Sequence, residues 1–494
     1  MMQNRRDQVQ AHRFVVSRLT SGLLRADPDA PEPPTRRTDK GVALGAVLAA
    51  VLAAGSLVYG LVSPGGATGW RDGQTLIVEK ETGTRYLFDG DKLRPVRNYA
   101  SARLLVGTGL TTDTVATASL SGTRHGDPVG IEGAPDELPS AASLGAGSWE
   151  VCAGVRSTDS GGSEVTTTLM VDSPPAGEAT SGAVLVRDDS GGLFLVRQGT
   201  RYRLPDGRAT ATALGYGAAD PLPVSAAFLD AVPAGADLVA PRVTGRGGAG
   251  PVFDGTRTRI GQVFVVRTPG SSEQYYLLLG SGLTPVTTTQ AALLLGEPGT
   301  REKAYAGSVP RAAALSPNAV DHALAPEGAH SEAAAVRRAG AALPAEPPAA
   351  LDIPGDQVLC MRLTPRGSRG TGVGLVTAPA AAVSAQAAPP AKALAPACLA
   401  VDFVVVPPGG GALVRALASD GGEMGNTTYL VTDTGRKYRV DSAATALGYQ
   451  PRRAQALPAP LLDMLPTGPD LSAEAAQEGR SAVSGSMRCD LRDR

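Results

Sequence analysis

The sequence predicts an α+β protein with one membrane-spanning helix and a large extracytoplasmic region. In that region, four β-hairpin/helix repeats surround a β-rich central domain that a disulfide can tie together. Three observations predict this class. The first is an uncharged apolar run, Gly41–Val62, behind a basic head. The second is a hairpin motif that recurs along the rest of the chain, and the third is a pair of strand-like segments that carry cysteines between the copies.

The apolar run is long enough to cross a membrane. As a helix it extends roughly 33 Å at about 1.5 Å per residue, and a hydrocarbon core is about 30 Å thick. Basic residues are frequent in residues 1–40, whereas Arg71 and Lys80 are the first to follow the run. The positive-inside rule therefore predicts a cytoplasmic head and an exported body. A cleaved signal peptide is the alternative, although its apolar region usually has only about 7–15 residues.

Small residues recur at every fourth position of the predicted membrane helix. They are Gly41, Gly45, Ala49 and Ala53. Such a ridge lets a second transmembrane helix approach closely, which makes it a predicted packing face. An alanine-rich composition alone can also produce this spacing.

The basic head contains a predicted amphipathic helix over residues 7–27. His12, Val15 or Val16, Leu19 and Leu23 form its apolar stripe, and arginines flank it. The helix either docks on a cytoplasmic partner or lies on the anionic inner leaflet. We favour docking because the stripe is regular. The predicted docking residues are His12, Arg13, Phe14, Leu19 and Leu23.

The composition favours a turn-rich exported body with aliphatic cores. The chain has 61 glycines and 39 prolines, and aromatic residues make up only 4%. After the head and the apolar run, about 430 residues remain, enough for two to four domains. The formal net charge is −1, so no overall field attracts nucleic acid, and we expect no nucleic-acid partner.

A glycine turn followed by a basic residue and a tyrosine recurs after short apolar runs, which is a β-hairpin signal. The three clear copies are Gly83–Asp89, Gly199–Leu204 and Gly435–Asp441. A degenerate copy pairs Val263–Val266 with Tyr275–Leu278. The predicted repeat-core tyrosines are Tyr86, Tyr202, Tyr276 and Tyr438.

A short helix follows each hairpin and ends at a glycine, namely Gly107, Gly215, Gly296 or Gly448. Small units of this kind cannot bury much surface alone, so they are predicted to pack on each other or on a central body. The predicted domains are a head (1–40), a transmembrane helix (41–62), repeat 1 (63–110), a split central domain (111–180 and 330–405), repeat 2 (181–245), repeat 3 (255–325), repeat 4 (410–475) and a tail (476–494).

All four cysteines lie beyond the apolar run, in a predicted oxidising compartment. They allow three pairings, and none has the CxxC spacing of a zinc site. A bridge between Cys152 and Cys360 would unite the two central pieces, and Cys398 and Cys489 would then pair at the tail. The stretch 376–397, rich in alanine and proline, is predicted to be a loop.

The usual catalytic motifs are absent from the sequence. No lysine follows a glycine, which excludes a Walker A phosphate loop. Asp159–Gly162 and Asp189–Gly192 have the Asp-Ser-Gly-Gly sequence of serine-protease sites, but we interpret both as turns. His322 and His330 have no metal-ligand spacing and are predicted to be solvated. We therefore expect no catalytic residue, metal or cofactor.

The head resembles the start of EccB proteins, membrane components of the actinobacterial type VII (ESX) secretion system. The resemblance rests on Gln8–Phe14, continuing through Arg18, Leu24, Arg25 and Asp27, and on Gly69-Trp70 after the apolar run. The repeats and the split central domain extend it over essentially the whole chain.

The resemblance implies a structural subunit in the cell membrane, with its amino terminus in the cytoplasm and an elongated extracytoplasmic region. It implies assembly with the EccC motor ATPase, EccD, EccE, a mycosin protease and other EccB copies. It also maps the family's disulfide onto Cys152 and Cys360. Some members carry an ATPase label, so an extracytoplasmic nucleotide hydrolase with an unrecognised site is the alternative. A cell-wall-binding module is a third hypothesis.

Overall fold

The computed structural model describes residues 5–25, 36–62, 68–145, 147–157, 161–172, 177–326, 328, 330–366, 371–417 and 423–483. The described chain forms two compact units. One contains the residues up to Leu93 together with Thr112–His125, and the other contains Arg94–Thr111 and the residues from Gly126 onward.

Two helices precede the globular part of the chain. Helix α1 spans Arg5–Arg25, close to the predicted 7–27, and helix α2 spans Arg36–Val62. Within α2, Thr38–Tyr59 is apolar and long enough to cross a membrane. The helix begins before the predicted Gly41 because the charged residues of its first turn continue the same helical hydrogen bonding.

The first sheet contains five strands and lies almost wholly in the first unit. They are β1 (Thr75–Glu79), β2 (Arg85–Asp89), β3 (Lys92–Pro95), β4 (Thr111–Val115) and β5 (Arg124–His125), with α3 (Tyr99–Val106) before β4 and α4 (Thr117–Leu120) before β5 in the chain. Their order is β4-β1-β2-β3-β5. Trp70, Ile77 and Leu93 form part of the core of this unit.

The second unit contains four sheets and a separate hairpin. In chain order, its first elements are β6 (Trp149–Ser157), β7 (Ser163–Met170), β8 (Glu178–Ala179), β9 (Ala183–Arg187), β10 (Leu193–Arg197), β11 (Thr200–Leu204), α5 (Arg208–Ala213), β12 (Leu222–Pro223), α6 (Ala226–Asp230), and the hairpin β13 (Ala249–Phe253) and β14 (Thr256–Arg259).

The next elements are β15 (Val263–Val266), β16 (Gln274–Leu279), β17 (Gly282–Val286), α7 (Thr288–Gly296), β18 (Ala313–Ala314), α8 (Pro317–Asp321), α9 (Glu332–Ala341), β19 (Gln357–Pro365), β20 (Thr371–Pro379), α10 (Ala380–Ser384), β21 (Phe403–Val405), β22 (Gly411–Leu417), β23 (Glu423–Thr432), β24 (Lys437–Arg439), β25 (Gln455–Pro458), α11 (Ala459–Asp463) and α12 (Ala473–Glu478).

The smaller sheets share one strand order. The second sheet is β12-β9-β10-β11, the third is β18-β15-β16-β17, and the fourth is β25-β22-β23-β24; the first four strands of the first sheet follow the same order. In the second, third and fourth sheets, the last strand runs parallel to the first. A helical segment precedes that strand in the chain, and a short helix follows it.

The central sheet has the order β21-β7-β6-β19-β20-β8. Exchanging the triplet β6-β7-β8 with β19-β20-β21 reproduces this order, read from the other edge. Each triplet therefore supplies an edge strand to the other half. The exchange holds for strand order but not for strand direction, because β21 runs parallel to β7 whereas β8 runs antiparallel to β20. At the centre of this order, Cys152 faces Cys360 across the antiparallel strands β6 and β19.

The largest core of the second unit joins the central sheet to the second and fourth sheets. Trp149 and Leu359 of the central sheet, Val186 of the second and Val414 of the fourth are buried together. Such a core makes the second and fourth sheets dependent on the central one, because each alone buries little apolar surface.

The tyrosine motif does not occupy the same strand position in all four smaller sheets. Tyr86 and Tyr276 lie on the middle strands β2 and β16, whereas Tyr202 and Tyr438 lie on the third strands β11 and β24. The motif marks one hairpin in each of the four smaller sheets, but the three-stranded meander of each sheet contains two hairpins. A local pattern therefore cannot distinguish the first from the second.

Two predicted boundaries also differ from the structure. Thr111–Val115 and Arg124–His125 belong to the first sheet and not to the central domain. Helix α9, predicted within 330–405, packs on the third sheet, where Ala333 and Val336 join Leu277 in one core. These segments are polar or alanine-rich, so their pairing depends on distant partners.

The predicted loop 376–397 begins with regular structure. Residues up to Pro379 belong to β20, and α10 follows with Val383 buried. Alanine favours a helix and valine favours a strand, so this composition did not require a loop.

Candidate assembly surfaces and the disulfide core

Helix α1 exposes its apolar side chains in the described chain. Phe14, Leu19 and Leu23 are 65%, 62% and 84% exposed. At about 100° per residue, His12, Leu19 and Leu23 fall on one face, whereas Phe14 lies roughly 200° from His12. The predicted docking set therefore contains two faces, and only one carries the aliphatic stripe.

The small residues of α2 lie along one side of an exposed helix. A Cβ added at Gly41 or Gly45 meets no described atom within 4 Å. Ala49 and Ala53 continue this side and are exposed. The face remains a predicted site for another transmembrane helix.

Cys152 and Cys360 form a disulfide at the centre of the central sheet. They lie 208 positions apart in the sequence, and the two cysteines are 2% and 0% exposed. A cross-link that closes so long a loop stabilises by about 2–5 kcal/mol, mainly by restricting the unfolded chain. The predicted Cys398–Cys489 pair stays a prediction, because Cys489 lies outside the described residues.

A buried ion pair lies beside this disulfide. Glu150 and Arg362 face each other across β6 and β19, and the Arg362 Nε donates to Glu150 Oε1 at 2.6 Å. Glu150, Cys152 and Cys360 bring three potential metal-ligand atoms within 4.8 Å of one another. In the oxidised chain the two sulfurs bond to each other, so this group is not a metal site in that state.

Two of the hairpin-turn glycines contact the central sheet. Gly199 and Gly435 have φ angles of 82° and 69°, which favour glycine. A Cβ at Gly199 would lie 2.8 Å from Val373, and one at Gly435 would lie 3.1 Å from Val404. The glycines therefore allow both the turn and its close approach to the central strands.

The repeated tyrosines differ in burial. Tyr438 is 1% exposed, whereas Tyr86, Tyr202 and Tyr276 are half-buried and pack against the edges of their cores. A core role therefore fits Tyr438 fully and the other three in part.

Sequence reasoning missed two buried tyrosines. Tyr216 and Tyr449 end identical Ala-Thr-Ala-Leu-Gly-Tyr segments, and this identity was the available signal. Their hydroxyls donate to the carbonyls of Pro348 and Pro139 at 2.5 and 2.8 Å. Burial raises the pKa of Tyr216 to about 12 and raises the pKa of Tyr449 further. Each hydroxyl therefore attaches its sheet, as a neutral donor, to the segment that leads into β19 or β6.

The candidates for catalysis remain separate in the described chain. Asp189–Gly192 forms the turn between β9 and β10, where Ser190 Oγ donates to Asp188 Oδ1 at 2.7 Å. Asp159 and Ser160 of the other copy lie outside the described residues. His322 and His330 are exposed.

A shallow depression of about 590 Å³ lies beside the hairpin β13–β14 and α8. Its lining is mostly apolar or backbone, and Asp254 and His322 are its titratable residues. Asp254 is already engaged, because Ser316 Oγ donates to Asp254 Oδ1 at 3.3 Å. We assign no chemistry to this depression.

Residues 2–484 match the family described as "Type VII secretion system ESX-1, transport TM domain B", the EccB component. The chain belongs to the EccB family. This match covers the head, the apolar helix and all the sheets, and it agrees with the resemblance of the head motif.

Alignments with curated EccB proteins cover nearly all of the chain in one case and more than half of it in another. The ESX-3 secretion system ATPase EccB3 of Mycolicibacterium smegmatis is 29% identical over 504 residues, covering 97% of this chain and 91% of that protein. The ESX-5 secretion system ATPase EccB5 of Mycobacterium tuberculosis strain H37Rv is 32% identical over 300 residues, covering 58% of each.

Solved structures with the same fold come from ESX complexes. A chain of an intact ESX-5 inner membrane complex has a TM-score of 0.61 and 25% identity, covering 98% of this chain and 97% of that chain. An EccB3 dimer from the ESX-3 core complex also has a TM-score of 0.61 and 25% identity, covering 81% and 99%. EccB proteins are thus components of ESX inner membrane and periplasmic assemblies.

Proposed function

We propose that this chain is a structural subunit of a type VII secretion membrane complex, which helps to form its extracytoplasmic assembly and anchors the motor ATPase. The whole-chain match to EccB is the observation that carries this proposal. It is supported by the one apolar helix of spanning length in the described part of the chain, which lies between a basic head and a large body.

The proposed topology is single-pass. The basic head stays in the cytoplasm, α2 crosses the inner membrane, and the remaining chain lies in the periplasm. The arginines before α2, together with Lys40 near its start, support this orientation. A tag at Arg494 that is labelled from the cytosolic side in intact cells would contradict it.

We further propose that the four smaller sheets are repeats of one unit around the central domain. Their common strand order supports this. The swapped edge strands of the central sheet also relate its two halves, each followed in the chain by a small sheet. The proposed partners of the assembled body are EccD, EccE, a mycosin protease and further EccB copies.

The head is proposed to dock on the EccC motor through the aliphatic face of α1. The test is the pair Leu19→Glu and Leu23→Glu in one chain, which places charge on that face. We expect EccC to be lost from the purified complex while the chain stays in the membrane. Gln10→Glu and Ser17→Glu in one chain are the matched control, because they place the same two charges on the opposite face of α1. Normal EccC yield from the leucine double variant would contradict docking by the aliphatic face.

Nucleotide hydrolysis is the second candidate, favoured by the word ATPase in the names of the relatives. The absence of a glycine-lysine pair argues against a P-loop mechanism. We expect the purified full-length chain in detergent to release no phosphate from ATP above a heat-denatured control. ATP hydrolysis that is abolished when a single acidic residue is replaced would instead favour the hydrolase over the structural subunit.

A further inference from the structure

The buried disulfide has two charged neighbours, Glu150 and Arg362, on the same two strands. Glu150 and Cys152 lie two residues apart on β6 and therefore share one face of the sheet. Across from them on β19 lie Arg362 and Cys360. One ligand atom from each of Glu150, Cys152 and Cys360 lies within 4.8 Å of the others, and all three residues are buried.

The carboxylate of Glu150 uses only one of its oxygens. Oε1 accepts the hydrogen bond from Arg362, whose other guanidinium nitrogen Nη2 donates to the Gly177 carbonyl at 2.8 Å. Oε2 is buried and has no hydrogen-bond partner among the described residues. Glu150 is only 1% exposed. A buried carboxylate oxygen without a hydrogen-bond partner costs free energy, because it has lost its contact with water.

The formal charges of this group depend on the state of the cysteines. With the disulfide formed, Arg362 balances Glu150. Reduction breaks the S–S bond with two electrons and two protons and gives two thiols. Loss of both thiol protons to solvent would leave two uncompensated negative charges in the core, which is highly unfavourable. A divalent cation bound to the two thiolates restores neutrality.

We propose that the reduced chain binds a thiophilic divalent cation, such as Zn²⁺, between the Cys152 and Cys360 sulfurs and the Glu150 carboxylate. Thiolates and carboxylates are established Zn²⁺ ligands, and the metal replaces the two thiol protons. Arg362 orients the carboxylate by holding Oε1, as neighbours of metal ligands commonly do. The cation joins β6 to β19 in a chain that has not yet been oxidised.

The experiment uses the full-length chain in detergent, reduced with a phosphine and titrated with Co²⁺ as a spectroscopic probe. Cys398→Ser and Cys489→Ser are introduced together, so that Cys152 and Cys360 are the only thiols. We expect one Co²⁺ per chain, thiolate-to-cobalt charge-transfer absorption, and loss of this absorption when Zn²⁺ is added. The oxidised chain should bind none.

Glu150→Gln tests the carboxylate, because the amide keeps an acceptor for Arg362 but provides a poor metal ligand. We expect Co²⁺ affinity to fall by at least about tenfold, with a changed ligand-field spectrum. Glu164→Gln, at the exposed end of the β6–β7 hairpin, is the matched control and should bind as the parent does. Unchanged binding by Glu150→Gln would overturn the proposal, as would the absence of a charge-transfer band.

If the double serine background does not fold, the reduced natural chain is compared with its Cys152→Ser variant. Loss of one bound Co²⁺ is then the expected result, and equal stoichiometry would overturn the site.

Discussion

The second and fourth sheets use one topology with different electrostatics. In both, a basic residue of the third strand approaches the short helix that follows the fourth strand. In the second sheet, Arg201 pairs with Asp230 at 3.3 Å, and both side chains are 24% exposed. In the fourth, Lys437 is 2% exposed, and its Nζ donates to the Leu462 carbonyl.

The loops that cover these strands show the same difference in burial between the second and fourth sheets. Gly235 approaches the Tyr202 ring, and Gly468 approaches the Tyr438 ring; a Cβ at these glycines would lie 2.7 and 2.2 Å from the ring Cε1. Tyr202 is half-buried, whereas Tyr438 is 1% exposed. The same topology therefore places the glycine against a half-exposed tyrosine ring in the second sheet and against a fully buried ring in the fourth.

Gly468→Ala should have the largest effect of the substitutions that test this contrast. The added Cβ meets a ring that is enclosed in the core, so we expect a loss of about 3 kcal/mol in the free energy of unfolding. Gly235→Ala should cost about 1 kcal/mol, because the half-exposed Tyr202 ring can move. Thermal and urea unfolding of the purified chain measures both, and equal losses would refute the contrast.

The lowered pKa of the buried Lys437 should make the free energy of unfolding depend on pH. Burial lowers the pKa of Lys437 from 10.5 to about 8, and Asp463 opposes this only in part. Between these values the unfolded chain binds more protons than the folded chain, so stability rises with pH. The slope is up to about 1.4 kcal/mol per pH unit, or about 2 kcal/mol from pH 8 to 9.5.

Lys437→Met should abolish this rise, because it removes the titrating amine. Arg201→Met should leave it in place, since an arginine does not titrate in this range. Urea unfolding at intervals from pH 7 to 9.5 makes the comparison. A rise that persists in Lys437→Met would assign the effect to other groups.

Tyr449→Phe and Tyr216→Phe test the attachments that the two sheets have in common. Each substitution removes the donor to a proline carbonyl, and we expect losses of about 1–2 kcal/mol, larger for the buried Tyr449 bond than for the part-buried Tyr216 bond. Hydrogen exchange should report faster opening of the fourth sheet in the first variant and of the second sheet in the other. The reverse pattern would contradict these assignments.

Arg201→Met should have the smallest effect on stability. A partly exposed ion pair contributes about 0–1 kcal/mol because water and salt screen it. We expect the loss to shrink further at high salt, measured by urea unfolding with and without added NaCl. A loss above about 2 kcal/mol would indicate that Arg201 has a larger packing role than its exposure suggests.

Local signals predicted the individual elements well. The length and lack of charge of Gly41–Val62 indicated a spanning helix, and α2 includes that whole range. Glycines at the ends of the predicted short helices indicated left-handed caps, and Gly107, Gly215 and Gly448 all have positive φ angles. These features depend on residues within a few positions of one another, which is why a single sequence contained them.

Non-local pairing was harder to predict. The polar segment Thr111–Val115 has no alternating pattern, yet it forms an edge strand of the first sheet. The tyrosine motif could not distinguish the second from the third strand of a meander. The predicted docking residues likewise include two faces of α1, because Phe14 lies roughly 200° from His12 around the helix.

By itself, the sequence determined the membership in EccB, the spanning helix and the hairpins, because each rests on local composition or a contiguous motif. Only the tertiary structure decided which strands exchange across the central sheet, which tyrosine is enclosed, and that Glu150 lies beside the two cysteines. The cause is the distance in sequence between partners. Cys152 and Cys360 are 208 positions apart, and the contacts around them form when many weak interactions bring β6 and β19 together.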